Sequence, residues 1–277
     1  MTTQLVRHCV KAIASQRTMP LALALICALA LCGSAQSADF VRRPLFPNKE
    51  NSPPALVLRG TIEPGDYNRI LAYVIRERKI FESHTLVLAS SGGDIKEALR
   101  LAELFKKTYK TIWVSDEHGQ CASACFLIYV SAVERDAVGP ALGIHRPYLS
   151  DVDMKRLSLR ESEFKLRQLA SEVRSYLAQA DVPQDLIDKV FSLASTEIHW
   201  LTGSETDRLG LRAPWWEQTL IARCKLDRAL EQRLLAGKLD PEGHKRALQH
   251  TGEVAECAFD ISVKERTQYL NSLQRAR

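Results

Sequence analysis

The sequence predicts an α/β fold with a mainly parallel sheet and a helical C-terminal extension. Short β-type runs alternate with amphipathic helical segments between residues 55 and 144, turn residues mark the junctions, and residues 215–277 carry helical periodicity alone. Strand, helix, strand in this order implies right-handed crossovers, so function is expected at the carboxyl ends of the strands.

The elements follow in chain order. ALVLRG (55–60) reads as a first strand, and Pro64-Gly65 turns it into a helix on which Ile70, Val74 and Ile75 recur at helical spacing. TLVLAS (85–90) is the next strand and ends at Ser90-Ser91-Gly92-Gly93. Asp94 with Glu97 forms a capping-box pattern that opens a helix, with Lys106 and Lys107 suited to its C-terminal end. TIWVS (111–115) and ALGI (141–144) complete the strands, with GQCASACFLIYV (119–130) between them as a loop and a buried helix. A long helix over 158–180, capped by Ser158 and Glu161, has Leu166, Leu169, Ala170, Val173 and Leu177 on one face. A further helix starts near Pro183, and the helical tail breaks at Asp240-Pro241-Glu242-Gly243.

The N-terminus is set apart as residues 1–38. Arg7, Lys11 and Arg17 precede an apolar stretch from Met19 to Cys32 and then CGSAQSA, the layout of a secretory signal. The stretch is shorter than the ~20 residues of a membrane span, so cleavage is expected, with anchoring by the uncleaved segment or a lipid on Cys32 as alternatives. The expected location is exported and periplasmic, or membrane-anchored facing the periplasm. Residues 39–54 read as an extended linker, 55–214 as the main domain and 215–277 as a helical extension.

Without the signal region the chain holds 35 Lys and Arg against 33 Asp and Glu, which leaves no basic excess for nucleic acid. Cys121, Cys125, Cys224 and Cys257 remain after cleavage, and four thiols in an oxidising compartment predict two disulfides. Of three pairings, the local one is favoured because Cys224 with Cys257 would close a helical segment. A metal site on His118, Cys121 and Cys125 lacks a fourth ligand at motif spacing, and no phosphate-binding P-loop motif occurs, so no metal or cofactor is expected.

Three chemically suggestive elements converge on one sheet edge: Gly92-Gly93, Ser123 and His145. A serine needs a base to take its proton and donors for the oxyanion it forms. Ser123 begins a helix, the N–H of Ala124 and that of Gly93 are candidate oxyanion donors, and His145 is the candidate base. Taken singly, Ser123 is a helix cap, Gly92-Gly93 a turn and His145 a structural histidine; their order and spacing together favour chemistry.

From about residue 56 to 212 the chain resembles the proteolytic subunit of Clp protease and its periplasmic relatives, in the superfamily that includes crotonases. SSGGDIKEALRLAELFK resembles the segment in which a glycine pair opens a helix, GQCASACFLI the nucleophile segment, GIHRP the catalytic histidine segment, and HWLTGSETDRLGL (199–211) the closing strand and helix. The resemblance implies a spiral of ββα units with Ser123 as nucleophile, His145 as base and Gly93 and Ala124 as the oxyanion hole. It also implies a peptide or unfolded-protein substrate and a homo-oligomer joined through sheet edges and the 158–180 helix. The family's third catalytic member, an acid, falls on Ala194; Glu197 is the nearby candidate and Asp188 a more distant one. A buried acid fixes the base's tautomer, and its replacement can lower turnover by ~10⁴. The alternatives to a serine hydrolase are therefore an inactive Clp-like binding or scaffold protein of the cell envelope and, against the grain of export, an enzyme acting on acyl thioesters.

Overall fold

A computed structural model describes residues 37–77, 81, 84–149 and 151–275, of which 151–153 by their backbone alone. Residues 1–36 of the segment set apart as a signal, Cys32 among them, lie outside the described residues; its last two, Ser37 and Ala38, belong to the folded unit, where Ser37 bridges to Thr61 and Ala38 is buried with its N–H donating to Asp66. Ser37 onward forms one compact unit. It is a mixed α/β structure with a mainly parallel sheet and a long C-terminal helix.

The strands are β1 (Asp39–Pro44), β2 (Pro54–Ile62), β3 (Thr85–Gly93), β4 (Thr111–Ser115), β5 (Cys121–Ala122), β6 (Glu134–Val138), β7 (Leu142–Ile144) and β8 (His199–Trp200). The helices are α1 (Asp66–Arg76), α2 (Ile95–Thr108), α3 (Ala124–Val130), α4 (Asp151–Arg156), α5 (Leu159–Gln179), α6 (Gln184–Ser192), α7 (Gly203–Asp207), α8 (Pro214–Cys224), α9 (Arg228–Leu235) and α10 (Pro241–Arg275). Five strands form one sheet in the order β1-β2-β3-β4-β6, and three form another in the order β5-β7-β8. All pairings of the larger sheet are parallel except β1 with β2, and in the smaller sheet β5 and β7 are parallel while β8 runs antiparallel. The segment read as an extended linker is extended, but its first six residues pair with β2 as an edge strand.

Alternation along the strands sends side chains to two faces. Leu56, Leu58, Leu86, Leu88, Ile112 and Val114 share the main core with Leu101, Phe105 and the whole of α3, while Ala55, Val57 and Val87 form a smaller cluster with Trp113 and Leu45. Helix α3 is buried at every position, which explains a run with no polar face. Its exit is held by the buried Arg135, whose guanidinium donates to the carbonyls of Val130, Leu209 and Gly210.

Helix α2 starts where Asp94 accepts from the N–H of Glu97 at 2.8 Å. The reciprocal half of the box is absent: the Glu97 carboxylate accepts instead from the Tyr67 N–H and from Arg100, tying α1 to α2. At α5 the Ser158/Glu161 box is complete. Only Val173 and Leu177 of the apolar face expected on that helix are buried, and Leu166 is exposed together with Leu159 and Phe164. The tail packs through Trp216, Leu220, Cys224, Val254, Ala258 and Ile261, and the Cys224–Cys257 disulfide joins α8 to α10. Among the described residues no helix is long and apolar enough to cross a membrane.

Candidate active site

Ser123 occupies the junction of β5 and α3 with φ 59° and ψ −126°, a conformation that L-residues other than glycine rarely adopt. A distortion of this kind costs on the order of 1–3 kcal/mol and persists only where surrounding structure enforces it. The enforcement is visible on both sides: the Ser123 N–H donates to Gly143 O of β7, and Ser123 O accepts from the Phe126 N–H, both at 3.0 Å. The hydroxyl makes no capping bond to α3, so the helix-cap reading of Ser123 does not describe what its side chain does. A sharp strand-to-helix turn of this shape projects a serine Oγ outward at the end of a sheet.

The Cys121–Cys125 disulfide brackets the serine, and both sulfurs lie among fully buried residues, at 0% exposure. Both disulfides are the local pairs favoured from sequence, and they remove the thiolates a metal site on His118 would need. His118 itself bonds to Leu45 O, and no group of three candidate ligands occurs among the described residues.

The end of β3 packs directly on the serine turn. A Cβ on Gly92 would stand 2.5 Å from Ser123 Cβ, 2.7 Å from Ala122 O and 2.9 Å from Ala124 N, so only glycine permits the approach. Gly92 is therefore the member of the Gly92-Gly93 pair that packs against Ser123 and Ala124. Gly93 is in register with Ile62 of β2, and a Cβ there would meet Ile62 O at 2.1 Å. The Ser90 hydroxyl donates to Gly60 O and accepts from the Gly92 N–H, holding this end of β3 in place.

Ser123, Ala124 and His145 line one pocket of about 30 Å³, enough for a water molecule. The remaining walls are apolar, from Ile95 of α2, Leu127 of α3, Val173 of α5 and Val190 of α6 among others. His145 is half-buried at the end of β7, and its Nδ1 lies 2.9 Å from Arg146 O. A carbonyl only accepts, so this contact is a hydrogen bond when Nδ1 carries a proton, and in the neutral ring that tautomer leaves a lone pair on Nε2. The Tyr148 ring lies beside the imidazole, with centroids 5.6 Å apart.

Glu197 is exposed in the turn before β8, and among the described residues it is not a hydrogen-bond partner of His145. Asp188 accepts from Arg174 at 2.8 Å and Gln184 at 3.0 Å on α6. A cluster absent from the sequence reading lies next to β7 through β8: His199 Nε2 is 3.0 Å from Glu205 Oε2, and Lys189 donates to the same carboxylate. Burial alone would raise the pKa of Glu205, but hydrogen bonds from Lys189, the Thr202 N–H and His199 hold it at about 2, below its ordinary 4.5. A depressed pKa stabilises the fold above the unfolded value, and this contribution disappears as pH falls from 4.5 through about 2. Thermal unfolding between those pH values is expected to show a steeper acid limb in the wild type than in Glu205→Gln; parallel limbs would show that the cluster does not couple to folding.

Fold and pocket together define a mixed α/β protein with a serine on a strained strand-to-helix turn and a histidine on the same cavity. Among solved structures the chain is similar to a point mutant of ClpP1 from Listeria monocytogenes, at 19% identity over 52% of this chain and 82% of that one, with a TM-score of 0.36. It is also similar to two mutants of the 1510-N membrane-bound stomatin-specific protease. One is 12% identical over 61% of this chain and 83% of the other, with a TM-score of 0.38. The second, solved in complex with a substrate peptide, is 13% identical over 56% and 71%, with a TM-score of 0.39. No protein-family model and no curated protein matches the sequence. At identities this low the chemistry has to be argued from this chain's own residues.

Proposed function

We propose that the protein is an exported, peptidase-like serine hydrolase in which Ser123 attacks an acyl carbonyl and His145 takes its proton through Nε2. The observation that carries this reading is the backbone of Ser123, held at φ 59° with its hydroxyl released from the helix it precedes. A packing or capping serine has no use for such strain, whereas a nucleophile needs its oxygen presented to a cavity and to a base. The Ala124 N–H at the start of α3, with that of Gly93 across the junction, would supply the oxyanion donors. The expected substrates are peptides or unfolded chains, whose acyl carbonyl would approach Ser123 at the mouth of this small, apolar-walled space.

Two disulfides suit an oxidising compartment, in keeping with export. The exposed Leu159 and Phe164 of α5 offer apolar contact for a homo-oligomer. One observation favours the second reading, an inactive scaffold: the acceptor at His145 Nδ1 is a main-chain carbonyl and not a carboxylate.

Hydrolysis of short apolar peptides and of an activated ester separates the two. The proposal expects turnover by the wild type that Ser123→Ala, shown to be folded, lacks. Equal rates in both, or none in either, would leave the scaffold reading standing.

A further inference from the structure

A histidine that takes a proton on Nε2 must carry one on Nδ1, and something must hold that proton toward an acceptor. In this chain the Nδ1 acceptor is the carbonyl of Arg146, 2.9 Å away, the residue that follows the histidine itself. The carbonyl is neutral, so it can orient the ring but adds little to the stability of the imidazolium.

The strand beside the histidine shows where a charged acceptor would have to come from. Strand β8 pairs with β7 in the register Gly143↔Trp200 and Ile144↔His199. Continued by one residue, that register sets Ile198 opposite His145. Ile198 and Trp200 lie over the same face of β7: a Cβ on Gly143 would meet Trp200 Cζ3 at 2.8 Å and Ile198 Cγ2 at 2.9 Å. Residue 145 is two positions beyond 143 and so projects to that face in an extended chain. Residues directly opposite across an antiparallel pair have Cβ atoms about 5 Å apart, within reach of a short side chain. The same register sets Glu197 opposite Arg146, and on an extended chain it points to the other face.

We infer that the Arg146 carbonyl is the positioning group that fixes the Nδ1–H tautomer of His145, and that Ile198 fills the place from which a carboxylate would reach that N–H. The inference rests on the Ser123–His145 reading proposed above. Ile198 is 44% exposed, so an aspartate there keeps access to water and need not be buried.

Two measurements on the full chain test it. Nitrogen-15 NMR of imidazole-labelled protein, with His145 identified by the signal lost in His145→Gln, is expected to show the neutral ring protonated on Nδ1. The second is the rate of labelling by a fluorophosphonate in wild type, Ile198→Asp and the uncharged isostere Ile198→Asn. Ile198→Asp is expected to react at least about tenfold faster than Ile198→Asn, a fraction of the ~10⁴ a triad acid contributes. Its pH profile is expected to shift upward, because a carboxylate beside a histidine favours the imidazolium. A neutral ring protonated on Nε2, or an aspartate variant no faster than the asparagine one, in protein that does label, overturns this inference alone. No labelling in any variant overturns the hydrolase reading and this inference with it.

Discussion

Replacing His145 with asparagine is expected to lower the rate of Ser123 phosphonylation by about 10²–10⁴, the usual contribution of a positioned general base. In the proposed reading the Nδ1 proton is held toward Arg146 O, 2.9 Å away, which leaves Nε2 to accept from Ser123 in the pocket the two residues share. Asparagine keeps comparable bulk at the end of β7 but has no site that takes a proton near neutral pH. Because His145 is half-buried and its one hydrogen bond among the described residues is to its neighbour, the fold is expected to remain intact. Labelling rates over a pH series, together with circular dichroism of both proteins, check this. A folded variant that labels as fast as the wild type would remove His145 from the chemistry.

Gly92→Ala is expected to damage both stability and reactivity. Its φ of +99° strains any L-residue, and the added methyl would enter a space where Ser123 Cβ, Ala122 O and Ala124 N all lie within 3 Å. Overpacking and backbone strain together cost about 2–5 kcal/mol, which in a protein of this size lowers Tm by roughly 5–15 °C. Gly65 supplies the control, for it has the same φ of +99° and nothing within 4 Å of the added atom. Gly65→Ala carries the backbone strain alone and is expected to lose little labelling, whereas Gly92→Ala displaces the serine turn and is expected to lose most of it. Calorimetry and labelling on the two variants decide the matter. Equal effects at Gly65 and Gly92 would mean that the β3 end does not hold Ser123 in place.

Much of the architecture was legible because its signals are local. Periodicity and caps placed α1, α2, α5 and α6 close to their ends, and β2, β3, β4 and β7 stood out as apolar runs bounded by turn residues. Strand β6 has no apolar run to mark it, because it opens on Glu134, Arg135 and Asp136; Arg135 is buried through main-chain carbonyls that only the folded chain brings together. Strand β5 has two residues, too few to show a period. The site was legible as three motifs but not as contacts. Sequence could place Gly92-Gly93 at a strand end, yet which glycine meets Ser123 depends on how β3 crosses the β5–α3 turn. It also could not show that the serine hydroxyl is free of α3, since capping depends on backbone dihedrals and not on residue type. The His199–Glu205–Lys189 cluster joins three consecutive elements, α6, β8 and α7, whose turns bring the side chains together, and it carries no short motif.

The most direct measurement is mass spectrometry of the intact, folded protein after treatment with a fluorophosphonate, followed by mapping of the modified peptide. A serine held on a strained turn beside a histidine should take up one phosphonyl group, carried on the peptide containing Ser123, and Ser123→Ala should take up none. An unmodified wild type, or an adduct that persists in Ser123→Ala, would contradict the assignment of Ser123 as nucleophile.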